Sequence, residues 1–218
     1  MEVQDLGDPL VTDDLGFITS AQRVASQEYQ TTLLAAALNG ETLSFATPNQ
    51  VSLANMSLKA RTILQDKFEP IAISLDETGA IYLLVRTEGR VVYWRLSAKG
   101  DRLTTFAIPR DMQISNAPPI VGYNHQAYIL GSNRVLAIDP TGKLAWVRPL
   151  KSKRAAAVIT ADDQLLVSDG SELAAFDLAG QRRVLHTFAG DVLATPPVLT
   201  THGEIIVASQ RRLYSLAP

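Results

Sequence analysis

Short runs of Val, Ile, Leu, Ala and Tyr recur along the chain, separated by small polar clusters. Five stretches share one plan of apolar run, polar turn, apolar run. They begin at Pro9 (PLVTDDLGFIT), Pro70 (PIAISLDETGAIYLLV), Pro119 (PIVGYNHQAYIL), Ala157 (AVITADDQLLVS) and Pro197 (PVLTTHGEIIVAS). The polar positions between the runs are Asp13-Asp14, Asp76-Glu77, Asn124-His125, Asp162-Asp163 and His202-Gly203. Such residues between β-branched and aliphatic runs predict hairpins. A third strand follows each pair, over residues 32–38, 90–96, 135–138, 173–176 and 213–216. Glycine turns come next at Asn39-Gly40, Lys99-Gly100, Thr141-Gly142 and Ala179-Gly180, where a positive φ is needed. Residues 103–108 and 144–149 read as fourth strands.

The units start 61, 49, 38 and 40 residues apart. Four short strands repeated at about 40 residues predict an all-β, single β-propeller domain over residues 1–218, with about five four-stranded blades. A four-stranded sheet standing alone exposes both faces, and stacking sheets radially covers them. The first strands, such as 71–75, are nearly continuous apolar runs and are expected to line the middle of the stack. The two long spacings require insertions, assigned to residues 20–31 and to residues 46–69, where 57–65 fits either a strand or a short helix. Since a propeller avoids an open edge by closing, residues 2–6 are expected to supply the outer strand of the last blade.

The segment Ala137-Ile138-Asp139-Pro140-Thr141-Gly142-Lys143-Leu144-Ala145-Trp146 resembles the Ala-x-Asp, Thr-Gly, Trp signature of PQQ-like, quinoprotein-type propeller repeats. Ala175-Phe176-Asp177-Leu178-Ala179-Gly180 matches its first half, with Val184 where the Trp would stand. The resemblance covers residues 117–218 well and 1–116 loosely, and is similar in repeat style to the propeller lipoproteins of outer-membrane β-barrel assembly. It implies that Trp146 docks between neighbouring blades. It does not bring the cofactor with it: quinoprotein enzymes of this style are much longer and bind PQQ with calcium, often beside a vicinal disulfide. No cofactor is expected.

Composition narrows the chemistry. With no cysteine among 218 residues, disulfides, thiolate metal sites and a Cys nucleophile are excluded. A net charge of −2 speaks against a nucleic-acid binder. No apolar run is long enough to span a membrane as a helix. No secretion leader is readable, yet a periplasmic or extracellular protein is expected from the repeat style, with a cytoplasmic one left open. Gly-x-Ser-x-Gly, His-Glu-x-x-His and phosphate-loop motifs are missing. His125, His186 and His202 are too scattered for a metal site, and the acidic pairs fit turns better than an acid–base couple.

One asymmetry remains. In a propeller the loops joining strands two and three share an end with the blade-to-blade connections. These carry Arg23, Arg86, Arg90, Arg134, Arg211 and Arg212, with Lys151, Lys153 and Arg154 just before the fourth unit, while Glu88, Asp169, Glu172 and Asp191 dilute them. Arginine suits carboxylate recognition. The expectation is a monomeric, non-enzymatic protein-interaction scaffold or sensor module with an acidic protein partner. The alternatives are a small-ligand or carbohydrate site at a central channel, and a hydrolase or lyase with funnel carboxylates.

Overall fold

The computed structural model describes residues 35–39, 42–55, 59–114, 117–193 and 195–216. The expectations for residues 2–6, 9–19 and 20–31, and for Arg23, lie outside these. The described residues contain strands and turns and no α-helix. The chain divides into two compact units, residues 1–105 and 106–218.

The first unit holds two antiparallel four-stranded sheets. One runs β1 (Ala35–Asn39), β2 (Thr42–Thr47), β3 (Gln50–Asn55), β4 (Ala60–Gln65), and the other β5 (Glu69–Leu75), β6 (Ile81–Thr87), β7 (Arg90–Leu96), β8 (Arg102–Ala107), whose last two residues fall past the unit boundary. The second unit holds β9 (Ile120–Val121), β10 (Ala127–Leu130), β11 (Arg134–Ile138), β12 (Leu144–Pro149), then β13 (Ala156–Ile159), β14 (Leu165–Asp169), β15 (Glu172–Phe176), β16 (Arg182–Thr187), and a three-stranded sheet β17 (Val198–Leu199), β18 (Ile205–Ala208), β19 (Leu213–Leu216). Every sheet is a meander in sequence order.

The sequence expectation placed 32–38 as a third strand and 46–69 as an insertion. Both are corrected. Ala35–Asn39 is the first strand of a regular sheet, Pro48-Asn49 is the tight turn joining β2 to β3, and 60–65 is its outer strand. Asn49 sits at φ 68°, a conformation Asn tolerates better than most residues. The first observed strand-start spacing is therefore 34 residues, from 35 to 69, and no insertion is needed there. The long second spacing is real. Among its extra residues Met112 is buried against Gly131, where a Cβ would come within 2.6 Å of the Met112 methyl.

Burial also differs from expectation. The second and third strands are the most enclosed: β6, β10 and β14 are buried almost throughout, whereas β13 is only half-buried along its length. A middle strand has a neighbour on each side as well as a sheet against its faces; a first strand is an edge. Alternation sorts the faces. Ile81, Leu83 and Val85 of β6 join Val92, Trp94 and Leu96 of β7 and meet Ala46, Val51 and Leu53 of the first sheet. In the second unit Tyr128, Leu130, Val135 and Ala137 meet Leu165, Val167 and Phe176, and further on Leu173 packs with Val207, Ile205 and Tyr214.

Candidate functional site

Turn chemistry divides each sheet into two ends. At one end a single five-residue turn recurs at 76–80, 97–101, 122–126, 139–143, 160–164, 177–181 and 200–204. In each, the first N–H donates to the fifth carbonyl and the fourth N–H donates to the first carbonyl. The fourth residue has positive φ in all of them, filled by Gly except at His125 and Asp163. The first residue supplies a side-chain acceptor in most: Asp76 Oδ1 accepts from the N–H groups of Thr78 and Ala80, Asp139 Oδ1 from those of Thr141 and Lys143, Asp177 Oδ1 from that of Gln181. Asp139 is held below the usual carboxylate range by the Thr141 hydroxyl and the Lys143 N–H. Burial works against the charge of Asp76, and the Thr78 and Tyr82 hydroxyls with the two N–H groups outweigh it, so its pKa is lowered as well. Asp76, Asp162, Asp163 and His125 thus serve their turns, and Asp13-Asp14 lie outside the described residues. Among the described residues no three His, Asp or Glu side chains converge as metal ligands.

The same turns dock neighbouring sheets. Trp146 of β12 lies in parallel stacking with Phe176, 5.8 Å between ring centroids, and its Nε1 donates to Leu178 O at 2.9 Å. Arg148 Nε reaches Gly180 O at 2.6 Å. A Cβ at Gly180 would lie 2.6 Å from the indole. In the first unit Arg61 Nη2 donates to Ala98 O, the matching second position of turn 97–101, and Gly100 faces Ile63.

The opposite end of each sheet carries the tight turns between second and third strands and the connections between sheets. Buried Phe68, Leu150 and Phe188 pin those connections, bonded through their backbones to Asn49, Asn133 and Ser171. Here the sequence-selected cations fall into two groups. Arg86 Nη1 pairs with Glu69 at 2.8 Å and Arg134 Nη1 with Asp111 at 2.9 Å. Lys151 Nζ pairs with Glu172 at 2.6 Å, and Arg212 Nε lies 4.0 Å from Asp191. Arg90, Lys153, Arg154 and Arg211 are exposed and have no ion-pair partner among the described residues. Of the acids expected to dilute the field, Glu88 is exposed, and Asp169, Glu172 and Asp191 are engaged. Asp169, whose side chain is fully enclosed, accepts from the Lys151 and Ser152 N–H groups at 2.7 Å each, and from Arg182 at 3.3 Å. Hydrogen bonds from Lys151 and then Arg182 hold Glu172 below its usual range. Asp191 accepts from the Tyr214 hydroxyl. Lys67 and Arg110 are further exposed cations on the connections, without an ion partner among the described residues, that the sequence reading missed. Once the strand ends are known, their place just after fourth strands identifies them.

A cleft of about 640 Å³ opens at the five-residue-turn end of the first unit, between the β3–β4 hairpin and the turns 76–80 and 97–101. Lys59 and Arg61 line one side and Glu77 and Thr78 the other. Lys59, Arg61 and Thr78 were not singled out by sequence, and Glu77 was read as part of an acidic turn pair.

No protein-family model matches the chain, and no curated protein matches it in sequence. Solved structures do match in fold. Virginiamycin B lyase from Staphylococcus aureus is similar with a TM-score of 0.57 at 11 % identity, over 88 % of this chain and 71 % of that one. A gluconolactonase from Xanthomonas campestris is similar with a TM-score of 0.51 at 13 % identity, over 84 % and 70 %. The extracellular domain ascribed to a hybrid two-component system of B. thetaiotaomicron gives 0.52 at 12 % identity, over 83 % of this chain and 26 % of that one. At such identities the likeness shows the fold, a β-propeller type of all-β structure, and nothing of activity. The expectation that the chain is not an enzyme is corrected by these findings: proteins of the same fold include a lyase and a gluconolactonase. No helix among the described residues is long and apolar enough to cross a membrane.

Proposed function

We propose that the chain is a recognition module, a five-bladed propeller in the PQQ-like repeat style that binds an acidic protein partner in the bacterial envelope. The observation that supports this is the unequal use of charge at the tight-turn end of the second unit's sheets. In the second unit the Asp169, Glu172 and Asp191 carboxylates are held by backbone N–H groups, by a tyrosine and by particular cations, while Lys153, Arg154 and Arg211 remain exposed without an ion-pair partner among the described residues. Enclosed, hydrogen-bonded carboxylates contribute little outward field, so the residual potential of these loops is positive. Unpaired Arg forks suit carboxylate partners and give up little internal pairing on binding.

The test is affinity capture from a bacterial envelope extract with the wild type beside a variant carrying Lys153→Glu, Arg154→Glu and Arg211→Glu. The wild type is expected to retain a specific acidic protein at low salt and to release it near ~1 M salt, where the Debye length shrinks to about 3 Å. The folded variant is expected to retain none of it. Equal retention by both proteins refutes the reading.

A further inference from the structure

The cleft of the first unit lies at the end of the sheets opposite the tight-turn loops, so its ligand chemistry is independent of the acidic-partner reading. Its volume, about 640 Å³, is in the range of small-molecule sites. Its floor is apolar, with Leu53 and Ala54 buried and Leu75 half-buried. Its walls carry opposite charges. The β3–β4 hairpin presents Lys59 and Arg61, and the turn at 76–80 presents Glu77. The Arg61 guanidinium is already oriented, since Nη2 donates to Ala98 O at 3.2 Å and the rest of the fork is left for a second acceptor. Neither Lys59 nor Glu77 has an ion-pair partner among the described residues, and both are exposed at the mouth. A cation and an anion that face one cleft and do not neutralise a neighbour are matched by a ligand bearing both charges. None of the lining residues is aromatic, so the stacking platform that sugar rings favour is missing.

We propose that this cleft binds a small zwitterion of the amino-acid or short-peptide class. The ligand's carboxylate is held by Lys59 and Arg61 and its ammonium by Glu77, and an aliphatic side chain rests on Leu53 and Leu75. The backbone supports the arrangement. Gly79, at φ 78°, closes the turn that carries Glu77, and Asp76 ties that turn down through Thr78 and Ala80, so Glu77 projects from a fixed loop.

The experiment is isothermal titration calorimetry of the full chain with three probes: alanyl-leucine, its N-acetyl form and its C-terminal amide. The proteins are wild type, Glu77→Gln and Lys59→Gln. Because both side chains are exposed and unpaired among the described residues, the variants' thermal midpoints are expected to match wild type. Wild type is expected to bind alanyl-leucine saturably and each blocked probe about tenfold more weakly, the scale of one charge-assisted hydrogen bond. Glu77→Gln should weaken alanyl-leucine about tenfold and leave the N-acetyl probe unchanged. Lys59→Gln should weaken alanyl-leucine and leave the amide unchanged. Absence of saturable heat for wild type up to about 10 mM alanyl-leucine overturns the proposal. Equal weakening of all three probes by either variant also overturns it, since that pattern is a general loss of shape without charge matching.

Discussion

Replacing Trp146 by alanine tests the docking of neighbouring sheets more directly than any other single change. The indole is 7 % exposed, stacks on Phe176, touches Tyr128 at 5.7 Å between centroids, and covers Gly180 closely enough to exclude a Cβ. Truncating a buried aromatic costs about 3–5 kcal/mol through lost transfer energy and the cavity left behind. The broken Nε1–Leu178 bond adds about 1 kcal/mol to this, the net scale of one hydrogen bond. A loss of about 3–5 kcal/mol is a large part of the ~5–15 kcal/mol that holds a domain folded. It should lower the thermal midpoint by roughly 6–20 °C for a chain of this length. The assay is urea unfolding followed by far-UV circular dichroism, with tryptophan fluorescence read in parallel. The chain has two tryptophans, so the variant leaves Trp94, buried beside Phe68 in the first unit, as the sole emitter. Fluorescence then reports the first unit while dichroism reports both. The dichroism transition should move to lower urea, and separation of the two curves would place the damage in the second unit. A destabilisation under about 1 kcal/mol would refute the account, because it would mean the indole lies on a surface and not between sheets.

The charged groups carry two further predictions. Asp169→Asn keeps the shape and removes the charge that two backbone N–H groups and Arg182 share, so urea unfolding should show a loss of about 2–3 kcal/mol; no loss would mean the enclosed carboxylate is not holding the connection. Glu172 and Asp66 both have pKa values lowered by hydrogen bonds, chiefly from Lys151 and from Arg102, so their charged forms favour the folded state. Their contribution is fully present above pH 4.5, the ordinary glutamate value, and disappears as the pH falls through the lowered ones. The urea midpoint should drop on acidification from pH 4.5, with a smaller drop in Glu172→Gln, and equal drops in the two proteins would refute the assignment.

The repeat was legible because its turns are chemically strict. A side-chain acceptor at the first position and a residue able to adopt positive φ at the fourth are written into 76–80, 139–143 and 177–181, and the flanking Val, Ile and Leu runs leave little choice but a strand. The docking of Trp146 was an expectation from the resemblance to PQQ-like repeats, and the structure packs it on Phe176 of the next sheet. The phase of the first sheet was not legible. β4, ARTILQ, is an outer strand with polar and apolar positions in equal number and none buried, and the β2–β3 turn is Pro48-Asn49, so neither carried the expected signal. The Asn39-Gly40 pair fits a turn between first and second strands as well as one between third and fourth.

Local sequence therefore determined strands, turns and the charges at each end, since these depend on backbone sterics and on neighbours within about five residues. Pairing decided the rest. Whether Arg182 meets Glu172, whether Asp169 turns inward to the Lys151 and Ser152 N–H groups, and whether Lys59, Arg61 and Glu77 share one cleft depend on register and on sheet-to-sheet packing. Residues distant in sequence are brought to hydrogen-bonding range only by the folded sheets, and a carboxylate's availability to a partner is set by what already holds it there.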